Sequence, residues 1–462
     1  MSGNDKWTRR LVLQRAMHLG AMGVAAPLAI NLAAIGEAAA FDNTDYKALV
    51  CIFLYGGNDC ANTVVPYDAT NYAKYAAIRG GSGEAGGGIA IARAALAPNA
   101  LTPNAGPVLT DNLQYALAPP LTGLKSLWDS GRLAVQLNVG PLIQPTTLAQ
   151  YLSTNRVENP LPPKLFSHND QQSVWQSNST EGSTVGWGGR LGDIALSSNG
   201  ANSLLTCISA SGNAVFVAGQ DALQYQTSPA GAIKINALNG PLRDALTSII
   251  TRDSTHAFEN EYAIVTRRSI AMESVVNNAL VDVNTSFGTG NPLANQLRII
   301  ARLIGARNVL GTRRQVFFVS LGGFDNHNLL MQDHPNLMQR LNDAMSAFYA
   351  ATVELGVADK VTTFTASDFG RTLSSNADGS DHGWGSHHFV MGGAVNGGRF
   401  YGTAPQVSIQ SDDQVGQGRL LPTTSVDEFA ATMARWFGCA TNELPGILPN
   451  VGNFSNTNLG FV

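Results

Sequence analysis

The chain has 462 residues, enough to bury a large core in one big domain or in two to three smaller ones. Charged residues make up only 13% and the formal net charge is −4, so the basic footprint of a nucleic-acid binder is absent. No heptads, internal repeats or long charge runs occur, which argues against a coiled coil or a solenoid.

The first forty residues read as a targeting segment. Thr8-Arg9-Arg10-Leu11-Val12-Leu13 carries an arginine pair, a mildly apolar run follows from Leu19 to Ala34, and Ala38-Ala39-Ala40 fits a small-residue cleavage pattern. The expectation is export by a twin-arginine route, with Phe41 as the mature start and a periplasmic or secreted location. Residues 1–40 carry a net +2, which leaves −6 on the remainder. No other apolar run is long and uncharged enough to span a bilayer, so no permanent membrane span is expected. Cys51, Cys60, Cys207 and Cys439 are the four cysteines, and none lies in a CxxC pattern. An exported protein can pair them, but the spacing does not say which. Cys51, inside an apolar run, is expected to be a buried thiol.

The run Ala48 to Tyr55 is continuously apolar, as a strand covered on both faces reads. It ends in Gly56-Gly57-Asn58-Asp59, whose glycines permit a sharp turn and leave Asp59 at the strand's carboxyl end. A helix-like stretch, Tyr67 to Ile78, precedes Gly81-Ser82-Gly83-Glu84-Ala85-Gly86. That formal GxGxxG follows a helix rather than a strand, so it is read as a loop and not as a dinucleotide site. Helix Pro119 to Asp129 and strand Leu133 to Val139 form a helix–turn–strand unit.

Phe166-Ser167-His168-Asn169-Asp170 opens a helix. Ser167 is its expected N-cap, in a field that also suits a nucleophile attacking an anionic ester. Gly186-Trp187-Gly188-Gly189-Arg190 begins another helix. Two short strand-like runs follow, Leu204 to Ile208 and Ala214 to Ala218. A mainly helical block then runs to about residue 310, with a helix starting at the capping residue Asn291. This block, from about residue 200, is expected to be an insertion over one face.

Strand Val316 to Leu321 ends in Gly322-Gly323-Phe324-Asp325, with His327 and His334 behind it. The long helix Pro335 to Leu355 leads to strand Val361 to Thr365, which ends in Ser367-Asp368-Phe369-Gly370-Arg371. A polar loop follows, carrying Asp378, Asp381, His382, His387 and His388. Phe389 to Val395 is expected to be one more strand, and Val426 to Phe437 a helix. Helix–strand alternation argues for a parallel α/β sheet, and ligands of such sheets bind beyond the carboxyl ends of the strands. Three strands thus deliver an acid, Asp59, Asp325 and Asp368, with imidazoles beside them. That set suits a divalent ion such as Zn, Mn, Mg or Ca.

The motifs GGND, SHNDQQSVW, GWGGRLGD, LGGFDNH, SDFGRT and DHGWGSHHFVMGG together resemble the DUF1501 family, itself similar to the alkaline phosphatase/sulfatase superfamily. The resemblance covers about Asp45 to the C-terminus. It implies a three-layer α/β sandwich with a mostly parallel sheet, and two divalent metals. By motif, it implies Asp59, Asp325, His327, Asp368, His382 and His387 as metal ligands. Ser167 is the best-placed hydroxyl, and the expected activity is metal-dependent hydrolysis of an anionic phosphate- or sulfate-type ester, with Ser167 or a metal-bound hydroxide attacking and Arg371 or Arg190 holding the anionic oxygens. Some positions depart from the superfamily pattern. Phe369 stands where His usually follows the late Asp, the Asp325/His327 spacing is i,i+2, and CxPxR, the formylglycine motif, is absent, departures that leave open which His binds which metal and whether one ion binds or two. A non-catalytic exported protein on the same scaffold, binding a surface polymer or a protein, is the alternative.

Overall fold

A computed structural model describes residues 41–81, 88–233 and 241–462. The targeting segment and nearly all of the GxGxxG loop lie outside these residues. Twelve strands are described: β1 (Lys47–Tyr55), β2 (Val64–Pro66), β3 (Tyr115–Leu117), β4 (Leu133–Gly140), β5 (Cys207–Ser209), β6 (Gln224–Ser228), β7 (Gly231–Ala232), β8 (Arg314–Gly322), β9 (Val361–Ser367), β10 (Ser386–Gly392), β11 (Phe400–Tyr401) and β12 (Thr424–Ser425). Ten of them form one sheet in the order β11-β4-β10-β9-β1-β8-β5-β6-β7, with β12 beside β4, while β2 and β3 pair separately. The main helices are α1 (Ala69–Ile78), α2 (Thr122–Asp129), α3 (His168–Ser177), α4 (Trp187–Ala195), α5 (Ala257–Ala279), α6 (Pro292–Gly305), α7 (Leu330–Glu354) and α8 (Val426–Phe437).

Strand β1 sits at the centre because both of its faces are apolar. Ala48, Val50, Ile52 and Leu54 enter one core, with side chains of α2, α6 and α7. Leu49, Cys51 and Phe53 enter the other, with side chains of α4 and α8. The period-2 alternation of a strand thus sends one residue set to each helical layer. The result is a mixed, mostly parallel α/β sheet with helices on both sides.

Parallel pairing brings three carboxyl ends to one rim. Leu54 stands opposite Leu321 of β8 and Ser367 of β9. Strand β10 runs antiparallel to β9 and β4, so it starts at that same rim. The loop before it folds back there, with a bridge between Arg371 and His382.

Several elements differ from expectation. Strand β10 begins at Ser386, three residues earlier than the apolar pattern suggests, and takes in His387 and His388. Both are buried, one toward each face: the His387 ring meets Tyr115, and the His388 ring meets Trp175. Histidines in a central strand look like loop residues in a sequence because nothing local shows the rings that surround them. Val215–Val217 is a 3₁₀ turn rather than a strand. Between residues 200 and 310, the strands β5, β6 and β7 extend the sheet beside the helices. Helix α7 starts at Leu330, so Pro335 lies inside it and removes one helical hydrogen bond, to the Met331 carbonyl. All four cysteines are free and buried. No helix among the described residues is long and apolar enough to cross a membrane.

The turn after β1 packs tightly against the turn after β8. Gly56 has φ +114°, and a Cβ there would lie 2.4 Å from the Asp325 nitrogen. Gly56→Ala is therefore expected to cost about 1–3 kcal/mol through strain and overlap, measured by urea unfolding. Unchanged stability would mean that the two turns do not need this close approach.

Candidate metal centre

Asp325 follows β8 and stands at the middle of the rim. Arg371, whose side chain is fully buried, fixes it: Nη1 donates to Asp325 Oδ1 at 2.9 Å and to the Gly56 carbonyl at 2.9 Å. The rest of that guanidinium is held by Ser380, through its carbonyl and hydroxyl oxygens. Burial works to raise the Asp325 carboxyl, but its bond to Arg371 and that charge override it and hold the group below its ordinary range.

Three imidazoles surround this carboxylate. His327 Nε2 lies 3.1 Å from Oδ1, His382 Nε2 lies 3.2 Å from the same oxygen, and His168 Nε2 lies 3.4 Å from Oδ2. The ligand atoms of His168, Asp325 and His382 all fall within 4.8 Å of one another. The cluster is open to ligands, since the Asp325 and His327 side chains are 44% and 43% exposed.

His168 is the residue that sequence reasoning passed over. It begins α3, next to Ser167, and its Nδ1 lies 2.7 Å from Asp368 Oδ2. That bond raises its pKa above the ordinary imidazole value, against the opposite effect of burial. The only signal was its place in the HND run, where the neighbouring hydroxyl drew the attention. His382 behaves differently: burial pushes its pKa down, and Nδ1 lies 2.7 Å from the Phe166 carbonyl. A carbonyl only accepts, so Nδ1 carries the proton and Nε2 offers a lone pair to the cluster.

Asp368 is fully buried. Its Oδ2 takes His168 and the Gln172 amide at 2.8 Å, while Oδ1 has no hydrogen-bond partner. A buried carboxylate with one bare oxygen and only imidazole and amide partners calls for positive charge at the cluster. A lone pair on His382 Nε2 stands 2.9 Å from His327 Nε2, a separation that suits donors around a shared cation. The residues present therefore fit a divalent ion, and imidazole with carboxylate is the donor chemistry for it.

The other sequence-predicted residues, Asp59, His387, Ser167, Arg371 and Arg190, are engaged by protein groups. Asp59 is buried in an ion pair with Arg79, which comes from the end of α1. Its oxygens also accept from the Asn62 N–H at 3.0 Å and from Ser380 Oγ at 2.7 Å. Burial opposes its ionisation, and the Arg79 charge overcomes this to hold it low. His387 lies within β10, where Nδ1 accepts from the Asn138 N–H at 3.1 Å, and burial pushes its pKa down to about 4. Ser167 is the N-cap of α3, yet its Oγ donates to Asp170 Oδ2 at 2.8 Å instead of capping the backbone. Arg371 is engaged throughout by protein oxygens, and Arg190 donates to the carbonyls of Ile447 and Ser177. Neither arginine is placed to clasp an anion; Arg371 positions Asp325 instead.

Breaking one half of a buried ion pair costs about 3–5 kcal/mol. Arg79→Ala is expected to lose that much in denaturant unfolding, equally with chelator and with added divalent ion. A loss that appeared only with metal present would return Asp59 to the metal site.

Comparison with known proteins adds family membership. No curated protein matches the chain in sequence. Among solved structures, the crystal structure of Ps i-CgsB in complex with k-i-k-neocarrahexaose matches at 9% identity and TM-score 0.35, covering 88% of this chain and 77% of that one. The PsFucS1 sulfatase from Pseudoalteromonas sp. matches at 9% identity and TM-score 0.33, covering 90% and 73%. Overlaps this loose carry no functional inference. The family model described as "Protein of unknown function (DUF1501)" matches residues 46–445, most of the chain, and the protein belongs to that family.

Proposed function

We propose that the protein is an exported, metal-dependent hydrolase of phosphate- or sulfate-type esters, on a scaffold of the alkaline phosphatase/sulfatase type. The observation that carries this reading is the convergence of His168, Asp325 and His382 at the open carboxyl rim of the sheet. Asp325, His168 and His382 would hold the ion. When bound, such an ion polarises an ester oxygen and lowers the pKa of an attacking hydroxyl.

The chain's own residues supply the rest. The N-terminus of α3 offers unsatisfied N–H groups to an anion. Arg419 spans the Phe166 ring and donates Nε to the His382 carbonyl at 2.7 Å, which puts a guanidinium beside the cluster. Asp170 orients Ser167 Oγ by accepting its hydrogen bond. Ser167 is the candidate nucleophile, with water as the other. Asp368 holds the His168 ring by its Nδ1 side.

The full engagement of Arg371 and Arg190 favours a second reading, a non-catalytic exported protein on this scaffold that keeps an ion for structure. The test strips the chain from Phe41 onward with chelator and reloads Zn, Mn, Mg or Ca against aryl phosphate monoesters, diesters and sulfate esters. The hydrolase reading expects metal-restored turnover, lost in Asp325→Ala and His382→Ala with the fold retained. Metal that raises the Tm with no turnover on any ester would leave the structural reading standing.

A further inference from the structure

The resemblance implies two metals, but the geometry points to one. We infer that His168, His327 and His382 present Nε2, together with the Asp325 carboxylate, to a single divalent ion. This rests on the reading that the cluster binds metal at all.

Each ring is held on its Nδ1 side by an acceptor and turns its other nitrogen to Asp325. For His168 the acceptor is Asp368 Oδ2 at 2.7 Å; for His382 it is the Phe166 carbonyl at 2.7 Å; for His327 it is Asp381 Oδ1 at 3.2 Å. Outer acceptors of this kind fix the tautomer of metal-ligating histidines. They are themselves built in. Asp381 accepts from Asn376 Nδ2 at 2.8 Å, and its N–H donates to Thr372 Oγ1 at 2.9 Å. Gly379 lets this loop pass the His327 backbone, where a Cβ would meet it at 2.3 Å. Phe166 has φ +72°, a conformation that L residues rarely adopt, and it delivers the carbonyl that His382 needs.

The three inner atoms on one side match one coordination sphere. His327 Nε2, His382 Nε2 and Asp325 Oδ1 are separated by 2.9, 3.1 and 3.2 Å. Donors at about 2.0–2.1 Å from a tetrahedral ion stand roughly 3.3 Å apart. Of the groups a second ion would need, Asp59 is spent on Arg79, Asn62 and Ser380, and Asp368 has Oδ2 taken by His168 and Gln172, which leaves it the buried Oδ1 alone. Three imidazoles with one carboxylate also select a borderline ion such as Zn²⁺ over Ca²⁺ or Mg²⁺, which prefer all-oxygen sets.

The experiment is isothermal titration of chelator-treated protein with Zn²⁺, Ca²⁺ and Mg²⁺, with elemental analysis after dialysis. The expected result is one Zn²⁺ per chain and far weaker binding of the hard ions. Asp381→Asn is expected to weaken Zn²⁺ binding about 10–100-fold, as outer partners of ligating histidines do. His327→Ala should weaken it further, and His256→Ala, at the N-cap of α5, should leave it unchanged. Circular dichroism checks that each variant is folded. Two Zn²⁺ per chain, or wild-type affinity in folded Asp381→Asn and His327→Ala, would overturn the single-ion inference and leave the hydrolase reading intact. No Zn²⁺ binding would overturn both.

Discussion

The bond between Arg371 and Asp325 organises the rim. The arginine is fully buried and reaches the Gly56 turn after β1, the Ser380 loop before β10 and the carboxylate after β8. One planar guanidinium with five donors therefore ties three loops from three strands. Without it, Asp325 would be an exposed carboxylate on a turn. With it, the group is held ionised and still, and three imidazoles meet it.

That geometry follows from topology. Parallel pairing of β1 with β8 and β9 puts three carboxyl ends on one edge, and the antiparallel return of β10 brings the loop with His382 back to it. The cores on either side leave little freedom in the strands. Freedom is confined to the turns, and there glycines make close approaches possible, as at Gly56 against Asp325 and Gly57 against the Phe369 ring. The Phe369 ring in turn packs on both His168 and His382, with centroids 4.9 and 4.6 Å away. Phe369 is thus an apolar wall against both imidazoles, whose rings also meet each other edge to face at 4.4 Å.

Much of the fold was legible because strands buried on both faces read as apolar runs. The runs at Ala48, Val316 and Val361 lie within β1, β8 and β9, and the helix Val426–Phe437 was seen in full. Asp325 and His382 were visible too, as an acid after a strand and an imidazole in a polar loop. What a linear reading could not show is which partner claims a group first. Asp59 has the right position after its strand, but Arg79, twenty residues later, takes it. Arg371 looked like an anion clamp, and its donors prove to be used up by the protein. His168 carried no pattern of its own; its role depends on Asp368, two hundred residues away in the chain.

The four cysteines bear on what the folded state depends on. All are buried as free thiols, and burial pushes the pKa of Cys60 up to about 11 and raises those of Cys51 and Cys207 as well. Such sulfurs are poor nucleophiles and poor targets for oxidants. The native packing therefore depends on no disulfide. The folded state thus holds no cross-link that a reducing surrounding could break.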